Sequence, residues 1–138
     1  MTRADLSDKT AFVRIALEEL AAIPQSTYDE FSSDRRNLPA AIHWLQTAIQ
    51  ALIDIGLVSI AARGLPTPRS SVEVLERLEE AGVLPAGTST RYRPVIGFRN
   101  RVVHLYDHID PQIVYRIVVE DRGDLAQLLG LLLDASND

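Results

Sequence analysis

The feature that most constrains this chain is a long apolar stretch written in helical period. Across residues 38–62, apolar side chains return at alternating steps of three and four, as in Ile42, Leu45, Ile49 and Leu52. That spacing lines one face of a helix. Gly64-Leu65-Pro66-Thr67-Pro68 ends the run, since two prolines and a glycine do not carry a helix forward. A helix this long and this apolar must be covered by others, and the rest of the chain supplies them. A first helix is expected from a Ser7 or Asp8 cap to Ile23, stopped by Pro24, with Phe12, Ile15, Ala16 and Leu20 as its buried face. A turn or short helix follows at 27–33. Ser70 with Glu73 makes a capping pair that opens a helix running through Glu80, and Gly82 closes it. Residues 113–119 are rich in β-branched side chains, but Asp110 suits a cap and Pro111 the first helical position, so helix is predicted there too. Residues 125–133 carry leucine on nearly every side and predict a last helix enclosed by neighbours or by a second subunit. The expected fold class is therefore all-α, an antiparallel up-down helical bundle, with 1–138 forming a single domain of a size that suits one core.

Composition narrows the setting. The chain has no cysteine, which excludes disulfides and thiolate metal sites. The start, Met1-Thr2-Arg3-Ala4-Asp5, lacks the apolar run of a signal peptide, and the stretch 52–62 is interrupted by Asp54 and too short to cross a bilayer. A cytoplasmic protein with no membrane partner is expected. The formal net charge of -5 weighs against a general nucleic-acid binder, whose affinity comes largely from neutralising phosphates. Residues 91–101 run against that balance, with Arg91, Arg93, Arg99 and Arg101 and no acid among them. They form either a local basic patch or a solvated face whose arginines pair with acids elsewhere.

The same region holds the chain's most reactive set of side chains. In Gly97-Phe98-Arg99-Asn100-Arg101-Val102-Val103-His104-Leu105-Tyr106, an arginine, an amide, an imidazole and a phenol fall within two helical turns. Arginine's fork of donors suits a phosphate, and histidine switches most readily between base and acid near neutral pH. Asn100 and Tyr106 can hold or orient what those two act upon. At 100° per residue, Val95, Phe98, Val102 and Leu105 fall within roughly 80° and form the buried stripe. His104 points roughly opposite that stripe, with Asn100 beside it and Arg93 on the same outer face. Arg99 and Tyr106 share another line, roughly 140° or more from His104, so they do not converge with it on one straight helix. Either the helix loosens ahead of Asp110-Pro111, or the site is composite and a second copy supplies the missing partner. Ile96 and Val103 would then give the interface apolar contacts.

Other candidates carry less chemistry. His104 and His108 are four apart, and with Asp107 or Asp110 they make a formal metal site, but three convergent ligands are not evident, so no metal and no cofactor are expected. His43 beside Trp44 reads as structural or as an interface residue. Asp54 either pairs across the bundle with Arg99 or Arg101 or faces solvent, and Glu79-Glu80 reads as an ordinary charged face.

The string Phe98-Arg99-Asn100, His104-x-Tyr106, Asp107 and Asp110-Pro111, in that order, resembles the motif of the HepT family of HEPN-domain toxins. The likeness extends over the middle helix at 41–56 and the segment from Leu75 to Leu84, with its Glu-Glu-Ala-Gly-Val-Leu-Pro turn. The resemblance implies a homodimeric endoribonuclease with two motifs facing one cleft, encoded beside an MntA-like nucleotidyltransferase antitoxin. It favours the composite site. Attack of the RNA 2′-hydroxyl on phosphorus would proceed without a metal, with Arg99, His104 and Asn100 catalytic and Arg93 and Arg101 contacting RNA. Tyr106 would be the residue that the antitoxin adenylylates. The alternative within the superfamily is a bundle that binds a nucleotide or substrate for a nucleotidyltransferase without cleaving it.

Overall fold

One helix organises the molecule. The computed structural model describes residues 3–105 and 109–136, with side chains for 6–102 and 109–135. Its α-helices are α1 (Arg3–Ala22), α2 (Tyr28–Ser33), α3 (Asn37–Ala62), α4 (Ser71–Glu80), α5 (Thr88–Leu105), α6 (Pro111–Arg116) and α7 (Arg122–Ser136). A π-helical stretch, Ile117–Asp121, joins the last two, and no strand occurs among the described residues. The helix α3 packs against all six others. That explains its composition: Leu45, Ile49 and Ile55 are completely or almost completely buried. As a whole it is long and apolar enough to cross a bilayer, more than residues 52–62 alone suggested, and 56% of its most apolar window is buried inside the bundle.

The helix ends follow the capping residues. Thr27 accepts from the Glu30 N–H at 3.0 Å, Ser70 from that of Glu73 at 3.3 Å, and Asp110 from that of Gln112 at 2.9 Å. Each satisfies one of the donors that a helix start leaves open. Gly82 adopts a φ of 75° beyond α4, which lets the Val83 N–H return to the Leu78 carbonyl at 2.9 Å.

Three expectations need correction. The buried line of α1 is Val13, Ala16 and Leu20, whereas Phe12 and Ile15 are 53% and 46% exposed. Apolar residues lie on two adjacent arcs of this helix, and the arc with the small Ala16 is the one that packs inward. Ser7 and Asp8 lie within α1, which begins at Arg3. The segments expected as two separate late helices form one continuous helical run, loosened at the π-helical stretch.

Two side chains, Glu79 and Gln25, tie the helices of this frame together. Glu79 is no ordinary surface acid: its Oε1 accepts from the Ser89 N–H at 2.9 Å and from Ser89 Oγ at 3.3 Å. A carboxylate there satisfies open donors in the first turn of α5 and complements the positive end of its dipole. Gln25 secures the opposite side. Its Nε2 donates to the Leu20 and Ile23 carbonyls at 2.9 and 2.8 Å, its carbonyl accepts from Tyr115 at 2.9 Å, and its Oε1 accepts from Arg122 at 2.7 Å.

Candidate functional site

The buried face of α5 is wider than the stripe read from the sequence. Val95, Phe98 and Val102 are buried as expected, and Tyr92 and Ile96 are buried with them. Together these residues cover an arc of about 160° at 100° per residue. Ile96 therefore belongs to the protein's own core and is not available to an interface, contrary to expectation; the side chain of Val103 lies outside the described residues. Arg99 falls inside the same arc, pointing its long side chain at α3.

There the arginine meets two amides. Arg99 Nη2 donates to Gln50 Oε1, and Nη1 donates to Asn100 Oδ1 at 3.2 Å. Gln50 passes the contact along α3, its Nε2 donating to Asp54 Oδ1 at 2.9 Å. The other oxygen of Asp54 pairs with Lys9 Nζ of α1 at 3.1 Å. Asp54 thus neither pairs with Arg99 or Arg101 nor stands free in solvent. Gln50, one turn earlier, is interposed between it and Arg99, and α1 brings Lys9 within reach.

The other arginines divide. Arg91 pairs with Asp124 at 2.8 Å and Arg93 with Glu76 at 3.6 Å, as the solvated-face alternative required. Both side chains are about half exposed, and pairs of that kind contribute about 0–1 kcal/mol. They hold the arginines loosely. Arg101 is exposed and has no ion pair among the described residues.

Asn100 is half-buried, and its oxygen serves Arg99. His104 lies one turn further along the backbone of α5, with its side chain outside the described residues. Tyr106, Asp107 and His108 lie outside the described residues altogether. Asp110, the other acid weighed for a metal site, is the cap of α6. His43 is exposed, its ring 4.8 Å from that of Trp44 and nearly edge-on.

Sequence reasoning missed Gln50. The signal was present, because Gln46, Gln50 and Asp54 recur every four residues along a largely apolar helix and so share one face. Taken singly, a glutamine carries no such message.

The described residues form an all-helical bundle in which α5 turns Arg99, held by two amides, toward the central α3. The chain belongs to the HepT-like ribonuclease family, whose profile matches residues 13–131. Its fold is that of a toxin–antitoxin crystallised with AMP-PNP, with 21% identity over 96% of this chain and 99% of that one and a TM-score of 0.83. It is also that of the tri-AMPylated HEPN toxin of Shewanella oneidensis in complex with MNT antitoxin, at 22% identity, 96% and 98% coverage and a TM-score of 0.84. The cytosolic protein of unknown function YutE from Bacillus subtilis shares the fold at 16% identity, 96% and 89% coverage and a TM-score of 0.81. No curated protein matches the chain in sequence.

Proposed function

We propose that this protein is the endoribonuclease toxin of a HepT–MntA-type toxin–antitoxin pair, active in the cytoplasm as a homodimer. The RNA 2′-hydroxyl oxygen bonds to the adjacent phosphorus as the bond to the 5′-oxygen breaks, leaving a 2′,3′-cyclic phosphate and a 5′-hydroxyl. His104 moves the proton, as base toward the 2′-hydroxyl or as acid toward the departing oxygen. Arg99 stabilises charge developing on the phosphoryl oxygens, Asn100 orients it, and Arg93 and Arg101 contact the RNA backbone. These side chains supply the proton transfer and the positive charge, so no metal or other cofactor is required.

The observation that carries this reading is the company Arg99 keeps. Its guanidinium is held by the oxygens of Gln50 and Asn100, both neutral, and by no carboxylate among the described residues. A carboxylate partner would cancel the charge that a phosphate needs. Two amides fix the group and leave its charge intact.

The partner in this reading is a nucleotidyltransferase. The similar Shewanella toxin carries AMP and is bound to an MNT antitoxin, which supports a nucleotidyltransferase partner here. Tyr106 is the acceptor in this reading, its hydroxyl oxygen displacing pyrophosphate from ATP. Each AMP places negative charge beside arginines that RNA would otherwise engage.

Incubation with total RNA in EDTA tests the core of the proposal. Wild-type protein cleaves, while Arg99→Ala and His104→Ala lose the activity and keep their helical circular dichroism. Undiminished cleavage by His104→Ala, or complete loss on chelation alone, would refute it.

A further inference from the structure

Gln50 and Asp54 are polar side chains on a largely apolar helix, and both lie in the chain of contacts that ends on Arg99. We propose that Gln50 and Asp54 of α3 are positioning residues for Arg99, forming a relay that pins the guanidinium in its working orientation without neutralising it. The inference rests on the ribonuclease reading.

The chemistry of the chain of contacts permits one direction only. A guanidinium donates and cannot accept, and an ionised carboxylate accepts and cannot donate. The amide of Gln50 lies between the two, so its oxygen must face Arg99 and its nitrogen must face Asp54, as the contacts show. Amide orientation is often ambiguous; here both neighbours dictate it. Asp54 acts as the fixed end, and Lys9 from α1 balances its charge at 3.1 Å. The relay thereby spans α1, α3 and α5. Lys9 and Asp54 are each about a quarter exposed, and Gln50 and Arg99 are half-buried, so the relay runs along a flank of the core that substrate phosphate can approach.

Placing a carboxylate directly on Arg99 would give a stronger bond and a weaker catalyst. The glutamine separates the two functions: anchoring comes from Asp54 through one intervening group, while the positive charge stays with Arg99. Two substitutions at Gln50 distinguish this role from packing. Gln50→Leu removes the acceptor, and Gln50→Glu keeps an acceptor but puts negative charge on Arg99 with Asp54 next to it.

The test measures kcat and KM on a defined single-stranded RNA oligonucleotide across pH, beside thermal melting. Gln50→Leu should lower kcat by about tenfold or more while KM moves by less than about threefold, because an interaction that matters in the transition state has been loosened. Gln50→Glu should be poorest at neutral and alkaline pH, and its rate relative to wild type should climb toward acid as the introduced carboxylate takes up a proton. Among the described residues, Arg99 and Asp54 are the charged groups that contact that position and Lys9 pairs with Asp54, and all are retained in both variants. Packing alone predicts a flat ratio. If Gln50→Leu fails to fold, the pH ratio of Gln50→Glu decides the matter. Wild-type kcat and KM in Gln50→Leu, or a flat pH ratio in Gln50→Glu, overturns the relay while leaving the ribonuclease reading in place, provided that Arg99→Ala is inactive. Wild-type cleavage by Arg99→Ala overturns that reading and the relay with it.

Discussion

Gly56 of α3 faces side chains of α4 and α7, and replacing it with alanine sets two opposing effects against each other. A Cβ at this position would lie 2.6 Å from Val74 Cγ1, 3.6 Å from Leu78 Cδ1 and 3.8 Å from Leu132 Cδ2. The last two are ordinary contacts, but carbon atoms prefer separations of about 3.5–4.0 Å, so the first demands an opening of about 1 Å. Val74 is 2% exposed and stiff about χ1, so it cannot swing aside and α4 must back away. Overpacking of this kind costs about 1–3 kcal/mol. Alanine's better helix propensity returns about 1 kcal/mol, which leaves a net loss of about 0–2 kcal/mol. Gly130 of α7 supplies the control, being exposed with nothing within 4 Å of its added Cβ. There the propensity gain stands alone, and Gly130→Ala should be stabilised by up to about 1 kcal/mol. Urea unfolding at one protein concentration should separate the two variants by about 1–3 kcal/mol, or several degrees in Tm. If Gly56→Ala proves as stable as Gly130→Ala, the close approach is not a constraint and this reasoning fails. The consequence reaches the site, because α4 carries Glu79, which holds the start of α5.

Other outcomes follow from individual contacts. Glu79→Ala should lose about 1 kcal/mol in urea unfolding, within the range for lost helix caps, and Glu79→Gln, which keeps an oxygen for Ser89, should lose less. The Arg36 side chain and backbone N–H hold the Asp34 carboxyl down at about 2, against 3.8, so its NMR titration should have a midpoint near that low value and move upward in Arg36→Ala. The sign is that of a depressed acid: the interaction contributes fully above 3.8 and is lost as pH falls through about 2. With a cognate nucleotidyltransferase and ATP, intact-mass spectrometry should show AMP increments on wild type and none on Tyr106→Phe; equal gains in both would remove Tyr106 from this role.

The scaffold was legible because its signals are local. Asp110 and Ser70 cap helices through groups two or three residues away, and the three-and-four spacing of Ile42, Leu45, Ile49 and Leu52 needs only the helical repeat to become a buried face. What escaped depended on which neighbour arrives. Nothing in the spacing of α1 says that Ala16 turns inward while Phe12 and Ile15 remain exposed, because that choice belongs to the surface of α3. Glu79 looked like solvated charge for the same reason: its partner, Ser89, starts a different helix. In the candidate site, Arg99 stood out by residue type and by its neighbours in the motif, whereas its anchor on Gln50 lies 49 residues away in sequence.

That anchor also changes the geometric case for a composite site. Treating each side chain as a spoke on a straight helix puts Arg99 roughly 140° from His104, too far to act on one phosphate. Arginine is long, however, and its working end need not lie above its own Cα. The Nη1 of Arg99 reaches Asn100 Oδ1 at 3.2 Å, and Asn100 stands four residues before His104, on the neighbouring line of the helix. The guanidinium is therefore drawn from the inward arc toward the flank on which Asn100 and His104 follow one another. The arginine's charge thus does not stay on the line of the helix where its own Cα stands. A second copy is then not needed merely to close an angle. The proposed dimer rests on the family resemblance, and in that proposal the second copy supplies a second motif and, with it, a path for RNA between two basic helices.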